Sequence, residues 1–276
     1  MKLKSFLSTS WRALSLATAA ALLAGSPGVA TAATVAAPVS NDIFLGFRAS
    51  GGQGFGTSYI VNLGQASQFT GASSSFILST IGDIGADLAA QYSGGGSGNW
   101  YSRGDLFWGI FGTSTSTNPA VYASREQNPV GTSATPWPNL ALVNRNATKS
   151  EILSVASGIG GYQGSDQTAN SAVATFQTDS TNASSYNKQV TSGGTDFGSL
   201  SQWSSIEGIF GTGTSGTALD FFRINSSGTT AVGTFTINNS GQVTFTSAVP
   251  EPSRALLLLG GLVAAFGRRR RSVEIV

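Results

Sequence analysis

The stretch 233–247, GTFTINNSGQVTFTS, decides the fold class. Phe235 and Ile237 alternate with Thr234 and Thr236, and Val243 and Phe245 alternate with Thr244 and Thr246. Period-two alternation of β-branched and aromatic residues gives each arm one apolar face, as a half-buried strand requires. Asn238 to Gly241 separate the arms with residues that turn a chain back on itself, so the stretch reads as a β-hairpin.

The same pattern recurs along the chain. DIFLGFRAS (42–50) puts Ile43, Leu45 and Phe47 on one face and Phe44, Gly46 and Arg48 on the other. SYIVNLG (58–64) follows the glycine-rich GGQGFGT (51–57), which predicts a second hairpin. LFWGIFGT (106–113), AVYASRE (120–126), LALVN (140–144) and ALDFFRIN (218–225) read as further strands. Two helices interrupt them. STIGDIGADLAAQY (79–92) has Ile81, Ile84 and Leu88 at helical spacing, with Ser79 or Thr80 as N-cap. TKSEILSVASG (148–158) pairs Thr148 with Glu151 as a capping box and has Gly158 as its stop. QTANSAVATF (167–176) fits helix or strand. GIFGTSTS (109–116) and GIFGTGTS (208–215) are near copies. One pair is not sustained self-similarity, which favours a shared strand-to-turn pattern over two half-domains. The expected fold is mainly β: a single β-sandwich or jelly-roll-like domain over 33–248 with a few short helices.

Of the 276 residues, 36 are glycine, 40% are hydrophobic and only 10% are charged. Such a chain has enough apolar material for a core and too little charge for a disordered segment. It has no cysteine, so the body must be held by packing alone. It has no histidine, which removes Ser-His, Cys-His and His-metal sites.

The first 32 residues read as a secretory signal peptide. Lys2, Lys4 and Arg12 form a basic start, and Ala13 to Ala24 is an apolar run too short to span a bilayer comfortably. Gly25 and Pro27 break it. Ala30-Thr31-Ala32 is an A-x-A cleavage signal, with the cut expected after Ala32, before Ala33. Much of the basic charge sits in the two ends of the chain. The stretch 33–249 carries seven basic and eleven acidic residues. That balance argues against nucleic-acid binding, which needs a basic face.

The last segment, 249–276, begins VPEPS. Pro250 and Pro252 fix φ and hold the chain extended, with Glu251 exposed between them. Ala255 to Phe266 is apolar; as a helix it covers about 18 Å, and from Pro252 to Arg270 about 28 Å. The longer span matches a bilayer core if Arg254 and the terminal arginines reach the interfaces. Arg268, Arg269, Arg270 and Arg271 would stay on the cytoplasmic side. The order of Val249, Pro250, Glu251, Pro252 and Ser253, a transmembrane helix and an arginine cluster resembles the PEP-CTERM sorting signal of Gram-negative bacteria. Arg254 comes early for that pattern, and SVEIV follows the arginines. The resemblance implies export, a transient stay in the inner membrane, and processing near 249–252 by an exosortase. It also implies a place at the cell surface or outside the cell, linked to exopolysaccharide and biofilm. A permanent single-span anchor is the alternative.

The body offers little chemistry. Eleven acids could supply a carboxylate pair for glycan hydrolysis, and Asp105 and Glu207 each precede a GIFGT. Both also suit exposed strand ends. Asp83 and Asp87 could share a helix face and hold Ca²⁺ weakly, but no D-x-D-x-D-G loop is present. Arg103-Gly104-Asp105 and the sequon at 146–148 read as chance. Among the aromatics, Trp108 belongs to the core, while Trp100, Tyr101, Trp137 and Trp203 could face solvent. Trp100 and Trp137 are the candidate glycan-stacking platforms: one follows a glycine-rich loop and the other lies between two prolines. The leading reading is a non-enzymatic surface or matrix protein, with the exosortase and the secretion machinery as partners. A carbohydrate-binding module on the cell surface and a carboxylate-based hydrolase are the alternatives. No cofactor and no metal are implied.

Overall fold

The computed structural model describes residues 38–96, 98–159, 173–210 and 218–248 and the backbone of 165–166. The signal peptide with Ala30, Ala32 and Ala33 lies outside these residues. So do the sorting residues Val249 to Ser253, the apolar tail and Arg268 to Arg271. The elements in chain order are β1 (Asp42–Ala49), β2 (Ser58–Gln65), α1 (Ala66–Thr70), β3 (Phe76–Ile77), α2 (Ile84–Tyr92), β4 (Leu106–Thr113), β5 (Val121–Glu126) and α3 (Leu142–Ser157). Then follow β6 (Ser165–Asp166), β7 (Ala174–Gln177), α4 (Tyr186–Thr191), β8 (Glu207–Ile209), β9 (Ala218–Asn225), β10 (Gly228–Ile237) and β11 (Val243–Ser247).

The 233–247 hairpin forms as read, with Phe235 opposite Phe245 and Ile237 opposite Val243. Asn238 builds its turn: its side-chain oxygen accepts from the backbone N–H of Ser240 and of Gln242. Gly241 takes the left-handed φ of 81° that closes the turn. β1 and β2 form the second expected hairpin. Every strand pairing is antiparallel, and the described strands join one sheet in the order β3-β11-β10-β9-β5-β4-β1-β2-β7-β6, with β8 paired to β4.

This differs from the expected sandwich or jelly roll, because one sheet supplies both halves of the architecture. The sheet curls. α1 packs against both β2 and β10, which lie five places apart in the strand order. In a flat sheet those strands would be about 24 Å apart, at roughly 4.8 Å per place. A five-residue helix about 7.5 Å long cannot span that. Phe69 of α1 closes the curl, with ring centroids 5.2 Å from Phe235 and 5.2 Å from Phe245.

Alternation then makes two cores. Leu45, Phe47, Trp108, Phe221 and Phe235 point into the curl, where Leu88 and Tyr92 of α2 help fill it. Phe44, Phe111, Ala123 and Phe222 point outward, and Ile152 and Val155 of α3 with Tyr186 and Val190 of α4 cover them. β1 is buried along all eight residues, because both of its faces are covered. Its sequence therefore reads as nearly continuous apolar residues.

Three local expectations are corrected. LALVN is not a strand, since Leu142 opens α3. That helix begins six residues before the supposed capping box, and Thr148 is fully buried within it. Arg145 sets the earlier start: its guanidinium donates to the carbonyls of Leu140 and Pro119 and to the Asn118 side chain. Gly158 does cap the end. α2 starts at Ile84 rather than near Thr80, with Asp83 accepting from the Ala86 N–H as N-cap. The ambiguous stretch yields β7 over Ala174–Gln177.

Candidate functional site

β1 and β4 pair so that Gly46 faces Gly109. Neither has a side chain, so the outer face of the sheet carries a notch there. Tyr186 of α4 lies in it. A Cβ on Gly46 would stand 2.8 Å from the Tyr186 ring, and one on Gly109 would stand 2.7 Å from its Oη. The ring stacks on Phe111 with centroids 5.3 Å apart, and the hydroxyl donates to Glu207 Oε1 at 2.8 Å.

Glu207 opens β8 and is the hub of a buried polar cluster. Arg48, on the outward face of β1, donates through Nε to both carboxylate oxygens at 3.0 and 3.1 Å. It donates through Nη2 to Oε2 at 2.5 Å and to Ser204 Oγ at 2.8 Å. Both side chains are almost wholly removed from water, and the guanidinium also lies over Phe107. Asp196 sits beside them, fully buried. Its carboxylate accepts from the N–H of Ser204 and of Ile206 and from Ser205 Oγ, at 2.7, 2.9 and 3.0 Å. Arg48 thus pairs with Glu207, while Asp196 is held by backbone N–H groups and a hydroxyl, in a place that water barely reaches. Burial accordingly raises Asp196 to about 7, with the neighbouring Glu207 charge adding to it against the hydrogen bonds it accepts. Burial also raises Glu207 above the ordinary carboxylate range, against the pull of Arg48. Tyr186 is held well above its ordinary value by burial and then by the Glu207 charge.

The cluster backs onto a polar cleft of about 720 Å³. Arg125, Glu126, Asn128 and Thr132 to Thr135 form one wall; Ser204, Ser205 and Glu207 form the other. Arg125 ties the walls together, donating to the Thr135 carbonyl at 2.9 Å and to Ser201 Oγ at 3.3 Å. Glu126 accepts from the Ile209 N–H, and burial raises its carboxyl.

The structure corrects the expected binding residues. Trp100 and Trp137 are each only 3% exposed, so neither offers a ring face to a sugar. Trp100 packs edge-on against Phe210 in the inner core. Trp137 lies under the Arg125 guanidinium, 4.2 Å from it. Trp108 is buried as expected, whereas Trp203 is 53% exposed. Asp105 and Glu207 are held by different arginines. Arg103 pairs with Asp105 at 2.8 Å and holds its carboxyl below the ordinary range. The remaining donors of Arg103 go to the carbonyls of Gln53, Tyr92 and Gly51, so the Arg-Gly-Asp tripeptide closes a loop. Asp87 is buried and accepts from the Tyr59 hydroxyl, leaving no shared acidic face with Asp83. Among the described residues no group of three or more His, Cys, Asp or Glu is placed to hold a metal. The two GIFGT copies adjoin rather than pair: Gly109 stands opposite Glu207, and Gly208 opposite Trp108. The sequence pattern gives no signal for Tyr186 or Asp196; it singles out Glu207 as a candidate carboxylate, and Arg48 only as an outward residue of its strand. Comparison with known protein families, with curated proteins and with solved structures finds no match.

Proposed function

We propose that this is an exported, non-enzymatic cell-surface or extracellular-matrix protein, sorted through its 249–276 segment by an exosortase and linked to exopolysaccharide or biofilm material. One observation carries the reading. The sheet finishes at β11, and its last ladder contact is the Ala248 N–H donating to the Val232 carbonyl at 3.0 Å. A cut between Val249 and Pro252 therefore falls after the last described strand, β11 (Val243–Ser247). Pro250 lacks an N–H and so has no donor to give a ladder. The body also suits life outside the cell: it has no cysteine to reduce or mispair, and the carboxylates of its buried cluster are engaged by Arg48, Tyr186 and backbone N–H groups. In this reading the cluster is scaffolding.

Intact mass of the protein recovered from the native surface or medium tests the proposal. The expected product lacks residues 1–32 and everything after about Val249, and the C-terminal loss disappears when Pro250, Glu251 and Pro252 are changed to Ala. A native protein that keeps its arginine tail would overturn sorting and leave a permanent anchor.

A further inference from the structure

The cleft beside the buried cluster has the chemistry of a ligand site, and that chemistry names a class of ligand. At about 720 Å³ its volume lies within the range of small-molecule sites. The side chains of Asn128, Thr132, Ser133 and Thr135 are exposed and make no hydrogen bond to another described residue, so both donors and acceptors are open to a guest. The charges of the walls cancel: Arg125 stands beside Glu126, and Glu207 is matched by Arg48 behind it. A neutral, hydroxyl-rich guest suits that lining better than a phosphate or a polyanion.

Next to the lining in the chain stands an exposed aromatic residue that is not itself among the lining residues. Trp203 directly precedes the lining residue Ser204, and it is the one tryptophan among the described residues left half in water. Ser204 adopts a left-handed φ of 57°, costly for a residue with a Cβ. That conformation is pinned by the Asp196 carboxylate on its N–H and by Arg48 on its hydroxyl. Buried groups thus hold a strained turn directly after a flat aromatic ring that stands half in water. A ring of this kind matches the C–H face of a pyranose, while the neighbouring amide and hydroxyls match its edge.

We infer that the cleft between residues 125–135 and 201–207, with Trp203 as its stacking platform, binds a neutral hexopyranose chain. This goes beyond the sorting reading and does not depend on it.

The test is affinity electrophoresis of the full-length chain in mild detergent, through gels holding dextran, hydroxyethylcellulose or laminarin as neutral probes and alginate as a charged one. Retardation by at least one neutral polymer is expected. It should weaken about tenfold or more in Trp203→Ala and in the Asn128→Ala/Thr132→Ala double variant, the loss typical of a central aromatic contact. All three residues are exposed, and an unchanged melting temperature confirms that the variants fold. No retardation by any neutral polymer overturns the inference. So does retardation by alginate alone, or retardation that either variant leaves unaltered.

Discussion

At the scale of single residues, Asp196 dominates the response to pH. Its carboxyl stands near 7 when folded, against an ordinary 3.8. A carboxyl that binds its proton more tightly in the folded state contributes stability in acid, and that contribution is lost as pH rises from about 4 toward 7. Glu207 shifts in the same direction. Asp105 shifts in the opposite one, but it is partly exposed and acts only below its ordinary value. The protein should therefore melt higher at pH 5 than at pH 8. The difference is on the order of 2 kcal/mol, or about 5 °C for a domain of this size. Asp196→Asn should flatten the profile, whatever it does to the absolute melting temperature. Calorimetry across that range decides, and a melting temperature that climbs from pH 5 to pH 8 contradicts the assignment. Little of this was legible in the sequence. Thr195-Asp196-Phe197 looks like any polar turn, and its burial depends on Ser204 and Ile206, which fold back onto it from several residues away.

At the scale of elements, the sheet forks. The edge of β4 away from β1 pairs with β8 over Phe107 to Gly109 and with β5 over Phe111 to Thr113. Ser124 sits where the two partners part. Its hydroxyl accepts from the Ile110 N–H at 2.7 Å and donates to the Ile206 carbonyl at 2.6 Å. Ser124→Ala strands one buried donor and one buried acceptor, a loss of about 1–3 kcal/mol. The urea midpoint should fall by the matching amount with an unchanged slope; a midpoint equal to that of the native protein would show that the fork closes without the hydroxyl. Apolar patterning located β1, β2, β4, β5, β9, β10 and β11: β11 and the end of β10 bury alternate side chains, and β1, β4 and β9, covered on both faces, carry near-continuous apolar runs. It misplaced the start of α3, because Arg145 anchors that helix through the carbonyl of Pro119, 26 residues away in the chain. The three-residue β8 is too short to announce itself by periodicity.

At the scale of the whole molecule, one sheet divides two cores. Trp100 and Trp108 belong to the inner core and Trp137 to the outer. Because each central strand lends alternate side chains to both, neither core can melt while the other stays packed. Tryptophan fluorescence and far-UV circular dichroism should trace one coincident urea transition; a fluorescence step separate from the loss of strand signal would mean that the cores are independent. Many pairings join distant segments, among them β2 with β7, β5 with β9 and β3 with β11. Refolding should accordingly take milliseconds to seconds or longer, as for other sheets rich in non-local contacts. The mainly-β class could be read from the chain because it needs only local alternation. The single curled sheet could not: two facing sheets and one sheet wrapped on itself impose the same pattern on each strand, and the difference lies in which strands neighbour one another. The burial of Trp100 and Trp137 was hidden for the same reason.

The notch formed by Gly46 and Gly109 has a consequence for descent. Tyr186 fills the space of two missing side chains, so these three positions cannot drift independently. A methyl gained at either glycine calls for a smaller group at 186, and a smaller group at 186 leaves a hole over Phe111. Glu207 is bound to the same fate through the phenol, and Arg48 through Glu207. Lineages that keep this architecture should carry the five as an inherited block while loops and surface diverge around them. That block, rather than overall similarity, is the mark by which distant kin of this chain can be recognised.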